Sequence, residues 1–242
     1  MRTRHDRVRA ACVAGALACV AVFVLLRVEL VHERGESSYD RWVAEQVGSN
    51  ERESPMLRRV ERVVAAPGSV KGSALICLVV GVWAWLRYRD LRWGLLLTAA
   101  FTVTAATVGI LKIGIPLQVF HADLERAYLS AHAANTTAVF GMLLLMSMLA
   151  HDRTLIIVVI GGIAGSTVAL VAFSVLAAGH HWLTDVIGGF VVAGAWLFAL
   201  APAARSMWRR PELVAALTRP RPRSRPVVST PPPARVEAGA AD

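Results

Sequence analysis

Six long apolar runs constrain the fold of this chain more than any other feature: Ala10–Val28, Gly72–Leu86, Trp93–Ile115, Ala133–Ala150, Leu155–Ala178 and Val186–Ala204. A helix that crosses the hydrocarbon core of a bilayer needs about 20 such residues. By that criterion the chain is an all-α integral membrane bundle of about six transmembrane helices. The second run is short, so it tilts little or borrows flanking residues. Charge agrees: 18% of residues are charged and the mean hydropathy is +0.51, against roughly 25% charged in soluble chains.

A net charge of +9 would suit nucleic acid, but its placement points to topology instead. Residues 1–9 hold Arg2, Arg4, Arg7 and Arg9 against Asp6, and residues 205–242 hold eight arginines against three acids. Excess Arg and Lys marks cytoplasmic segments, so both termini are expected inside. Arg87, Arg89, Arg92 and Arg153 then also fall inside. The reading divides the chain into a basic cytoplasmic N-terminus (1–9), a first transmembrane helix (10–28), an extracytoplasmic segment with short amphipathic helices (29–70), a membrane core (71–204) and a disordered basic, Pro-rich cytoplasmic tail (205–242). The first apolar stretch is longer than the roughly 7–15 residues of a signal-peptide core, which favours an uncleaved helix. Cys12, Cys19 and Cys77 lie inside apolar runs and form no disulfide or metal pattern.

The chemistry-bearing residues gather at one boundary of this slab. His181 and Asp185 are four residues apart, a spacing that puts both on one helical face. A carboxylate on one ring nitrogen fixes the tautomer and leaves the other nitrogen free as base or nucleophile. His132 opens the fourth run after Ser130, and Lys112 lies near the outer end of the third. With both termini inside, Lys112, His132, His181 and Asp185 all fall at outer helix ends. Ionisable groups at membrane depth are functional candidates by default.

The order of these residues resembles the type 2 phosphatidic acid phosphatase family, related to vanadium haloperoxidases. The family pattern runs Lys-x6-Arg-Pro, then Pro-Ser-Gly-His, then Ser-Arg-x5-His-x3-Asp. Lys112 fits the first motif, Ser130 and His132 the second, and Ser174, His181 and Asp185 the third, over roughly residues 70–200. The resemblance implies a phosphatase/haloperoxidase-type helical core and a lipid phosphate phosphatase at the outer face of the cell membrane. Its partners would be a phosphorylated lipid substrate and membrane lipids, with no nucleic acid, metal or other cofactor. It implies that His181 attacks phosphorus while Asp185 orients it. His132 then acts as proton donor and acceptor, and Lys112 and Ser130 hold the phosphate.

Departures from the pattern fall on its cations. Val119-Phe120 stands where the family has Arg-Pro, Leu129 and Ala131 replace the Pro and Gly of the second motif, and Val175 replaces the third-motif Arg. Arginine suits phosphate because its planar fork donates two parallel bonds. Losing one such donor typically costs about 10²–10³ in rate. Arg126, in the same outer loop, is the candidate substitute, with weaker contributions from His121 or His180. A second reading is therefore a catalytically impaired relative that binds lipid headgroups or acts as a membrane scaffold. A small transporter is a distant third, since the runs contain no broken-helix pair.

Overall fold

The computed structural model describes residues 4–32, 37–47, 55–114, 129–151 and 153–209. In chain order the helices are α1 (Arg4–His32), α2 (Ser38–Val47), α3 (Pro55–Ala65), α4 (Val70–Tyr88), α5 (Arg92–Gly114), α6 (Ala131–Ala150), α7 (Thr154–Ala177) and α8 (Leu183–Arg209). A 3-10 turn over Ala66–Gly68 joins α3 to α4, and no strand occurs among the described residues. Helices α1 and α4 to α8 are the six that are long and apolar enough to cross a membrane. The chain is a multi-pass, all-α membrane protein.

The short second run does borrow its flanks. Ser69 caps α4, its Oγ accepting the Gly72 N–H at 3.0 Å, and Arg89 ends the helix at φ 53° with its N–H on the Trp85 carbonyl. The resulting 19 residues span about 28 Å at 1.5 Å per residue, close to the hydrocarbon thickness. Within segment 29–70, α2 and α3 dock on α7, and α2 also on α8. Helix α8 continues to Arg209, beyond the boundary expected at 204. Residues 210–242, which carry the Pro-rich tail, lie outside the described residues.

Helix α6 is the centre, packed by α4, α5, α7 and α8. Its buried positions include Ala133, Ala134, Ala138, Val139, Met142 and Met146. Lipid supplies no hydrophobic drive between helices, so close packing of small residues must hold them together. A Cβ on Gly189 of α8 would lie 2.7 Å from the Ser130 carbonyl oxygen and 3.2 Å from the Ala133 Cβ. Only glycine permits that approach. Helix α1 runs antiparallel to α8, with Gly15 facing Phe198 and Gly194 facing Cys19. Arg4 and Arg209 are therefore at one end of the bundle, and the opposite end holds His132 and His181.

At the Arg209 end, Arg92 is the clasp. Its guanidinium meets Asp90 at 2.6–2.8 Å, lies 4.7 Å from the centre of the Trp208 ring, and donates to the Met207 carbonyl at 3.4 Å. Burial alone would raise the Asp90 carboxyl; hydrogen bonds from Arg92 and its charge outweigh that and hold the group below the usual carboxylate range. A depressed folded pKa contributes stability above the unfolded value, about 4, and loses it as pH falls through the folded value. Asp90→Asn should therefore destabilise the bundle by about 1–3 kcal/mol near neutrality. The gap to the parent chain should close in acid. Thermal unfolding in detergent at neutral and acid pH checks this; a gap that ignores pH would refute the ionic account.

Candidate active site

The site is built where the N-termini of α6 and α8 meet. Ser130 caps α6, with its Oγ accepting the Ala133 N–H at 3.4 Å. The Ser130 N–H donates to the Asp185 carbonyl at 3.0 Å, which fixes the register of α6 against α8. His132 is the second residue of α6 and Asp185 the third of α8. Lys112 arrives from the last turn of α5.

A Gly-terminated turn delivers His181. Helix α7 ends with Gly179 at φ 65°, the His180 N–H on the Val175 carbonyl and the Gly179 N–H on the Leu176 carbonyl. That paired closure uses a left-handed residue which glycine adopts without a side-chain penalty. The chain then passes through His181 and Trp182 into α8. The Asp185 Oδ2 accepts the Trp182 N–H at 3.1 Å and lies 3.4 Å from His181 Nδ1. This is longer than the 2.6–3.2 Å expected of a tight pair. With a proton on Nδ1 directed at Asp185, the Nε2 lone pair is free.

The four expected titratable groups converge. Asp185 acts electrostatically on Lys112, and His181, Lys112 and His180 act on His132. Ser130 reaches the same place, but it is fully buried and serves as the helix cap. His180 is largely exposed and pairs through Nε2 with Glu61 of α3 at 3.0 Å. Val175 faces the packing: only 2% exposed, it clusters with Ala65, Ala133, Ala172 and Val186. Leu129, in the family's Pro position, is buried at φ 77°, a value proline cannot adopt. Val119, Phe120, His121 and Arg126 lie outside the described residues. Among the described residues, no group of three or more His, Cys, Asp or Glu could hold a metal ion.

One contributor went unread in the sequence: Asp40. It is fully buried, and its Oδ1 accepts the Thr184 N–H at 2.9 Å while its Oδ2 accepts the Thr184 hydroxyl at 2.7 Å. Thr184 precedes Asp185, so an acid 144 residues away caps the helix that presents the site carboxylate. Asp40 also closes a capping box on α2, exchanging bonds with the Ser37 N–H and Oγ at 3.3 and 3.2 Å. The Ser37-x-x-Asp40 spacing was the available signal. Gly68 supplies a second tie, its carbonyl accepting from Asn135 Nδ2 at 3.2 Å.

The PAP2 superfamily model matches residues 112–209, from Lys112 through Asp185 to the end of α8. The core is PAP2-like. The fold is similar to the crystal structure of a transmembrane PAP2-type phosphatidylglycerolphosphate phosphatase from Bacillus subtilis, with a TM-score of 0.62 and 19% identity over 78% of this chain and 94% of that one. No curated protein is significantly similar in sequence.

Removing Asp40 should strip two acceptors from the start of α8. Asp40→Ala is expected to cost about 1–3 kcal/mol through unpaired buried donors. Amide exchange at Thr184 should accelerate more than at mid-helix Val192. Uniform acceleration along α8 would mean that Asp40 acts on global stability alone.

Proposed function

We propose that this PAP2-like protein hydrolyses a lipid phosphate or pyrophosphate at the extracytoplasmic face of the cell membrane, through a phosphohistidine. The observation that carries this reading is the pairing of His181 with Asp185 in one electrostatic cluster with His132 and Lys112. A bundle kept for structure alone has no need of that pair. The similar Bacillus subtilis protein is a phosphatidylglycerolphosphate phosphatase, which supports a lipid phosphate as the substrate class.

In this mechanism His181 Nε2 forms a bond to phosphorus as the bond to the leaving oxygen breaks. Protonated His132 passes its proton to that oxygen, and the lipid alcohol or lipid monophosphate departs. Neutral His132 then takes a proton from water, whose oxygen attacks phosphorus and breaks the P–N bond. Inorganic phosphate leaves, and His132 is again protonated. Asp185 holds the ring and stabilises its positive charge. Lys112 and the free N–H groups at the start of α6 balance the phosphoryl charge. Ser130 contributes by fixing that helix end.

Phosphate release by the purified protein from a panel of lipid phosphates tests the reading. His181→Ala should abolish release, and His132→Ala should lower it by roughly 10²–10⁴-fold, both without a matching loss of thermal stability. Equal release by the parent chain and His181→Ala would end the proposal. The packed Val175 favours the second reading, a relative of impaired activity that binds headgroups. That reading is supported if labelled lipid phosphates bind and none is hydrolysed.

The sidedness has its own test. A cysteine introduced at Gly179 tolerates a positive φ poorly, so Trp182→Cys is the better probe. With both termini cytoplasmic, a membrane-impermeant thiol reagent should label it from outside intact cells. Labelling only after the cytoplasmic face is opened would invert the topology.

A further inference from the structure

At the end of the bundle opposite His132 and His181, a cavity of about 660 Å³ opens between α4 and α7, with α6 as its floor. Helices α4 and α7 each pack on α6. The deep wall is apolar, made by Val80, Phe140, Leu143, Ile160 and Ala164. Four of the polar lining residues are engaged with the protein itself. Arg92 holds Asp90, the Ser147 hydroxyl donates to the Leu143 carbonyl at 2.8 Å, and His151 Nδ1 lies 3.3 Å from the Ser147 carbonyl oxygen. A polar ligand would therefore find little to bind in the depth of the cavity.

Its surroundings say what fills it. Val79 and Val82 on α4 and Val159 and Ile163 on α7 are exposed, and both helices are membrane spans. The mouth accordingly opens at hydrocarbon depth. Water gains too few partners against such walls to occupy them, whereas a hydrocarbon chain matches them. The outer rim is aromatic, with basic residues beside it in the chain. Trp83, Tyr88, Trp93 and Trp208 line it at the level where such rings mark the membrane interface. Arg87 and Arg89 lie over the Tyr88 and Trp85 rings at 5.3 and 5.5 Å, and Arg153 starts α7. Asp90 is committed to Arg92, and among the described residues Arg87, Arg89 and Arg153 lie within two chain positions of the lining residues Tyr88, Asp90 and His151. Arginines adjoining an apolar slot complement a phosphodiester that carries acyl chains.

We propose that this cavity is a second lipid site, which takes an acyl chain of an anionic glycerophospholipid from the leaflet opposite the candidate active site. Arg87, Arg89 and Arg153 face its phosphate. The proposal is independent of whether the histidine site hydrolyses anything.

Photo-crosslinking tests it on the full chain in phosphatidylcholine vesicles that contain phosphatidylglycerol with a diazirine on one acyl chain. Adducts should concentrate on the peptides with Val80–Trp83 and Ile156–Ile160, several-fold above those on the open face of α1 at Val13–Val24. Unlabelled phosphatidylglycerol should compete for the groove adducts more strongly than added phosphatidylcholine. Ile160→Trp should remove groove adducts and spare those on α1. Equal labelling of groove and α1 would overturn the site, and equal competition by the two lipids would overturn its preference for an anion. A photoreactive residue at position 160 that crosslinks to segment 210–242 instead of lipid would name a different occupant and overturn the proposal. The competition arm uses the unaltered chain, so the result does not depend on how Ile160→Trp folds.

Discussion

The contact between the first turns of α6 and α8 is the constraint on which the site depends. The first N–H groups of a helix have no partner within it, and at a membrane boundary such groups are costly to leave unpaired. Here each helix start is closed by a defined acceptor: Ser130 Oγ for α6, and Asp40 and Asp185 for the approach to α8. The Ser130–Asp185 backbone bond then locks the two starts together. Two helix N-termini meeting at one place sum their positive ends, which suits an anion whatever side chains surround it. His132 and His181 inherit their positions from this junction.

Much of this was legible in the sequence, although not always for the right local reason. Six apolar runs gave six helices because membrane length is a hard requirement. The His181–Asp185 pair was legible from its spacing, yet α8 begins only at Leu183. The pair meets across a turn, where Asp185 reaches back to the Trp182 N–H, not along a helical face. Asp40 and Glu61 were not legible as parts of the site. Their contacts join segment 29–70 to residues more than a hundred positions away, and no local periodicity encodes such docking. Ser174 carries the family spacing, but its hydroxyl is spent on the Val171 carbonyl.

Val175 changes how the missing cations are understood. A valine merely left in a cationic pocket would face open space, whereas this one is packed against Ala133 and Val186, each adjacent to a proposed catalytic residue. A buried guanidinium without a partner costs several kcal/mol, and it would displace the close contacts that valine makes here. Restoring an arginine at this position alone would thus work against the packing. A helix N-terminus stabilises a nearby anion by about 0.3–1 kcal/mol, up to about 2 in partly buried sites. One lost transition-state donor is worth about 2.7–4 kcal/mol. In the proposed mechanism, Lys112 and the α6 terminus among the described residues replace only part of what the family arginines supply, so slow turnover is expected unless Arg126 contributes.

The same energetic logic runs through the bundle. Helices in lipid are not driven together by exclusion of water, so their order rests on close contact of small residues and on a few polar ties. The small residues include Gly189 against Ser130, and Gly141 against Leu197. The polar ties sit mostly at the ends: Asp40 to Thr184 at the histidine end, and Arg92 to Asp90 and Trp208 at the other. Between them, Trp196 Nε1 donates to Thr107 Oγ1 at 2.9 Å and links α8 to α5. Small side chains let backbones approach but do not select one register strongly. The end ties supply that selection, so the geometry of the candidate site is set as much by capping acids and clasps as by the apolar mass of the bundle.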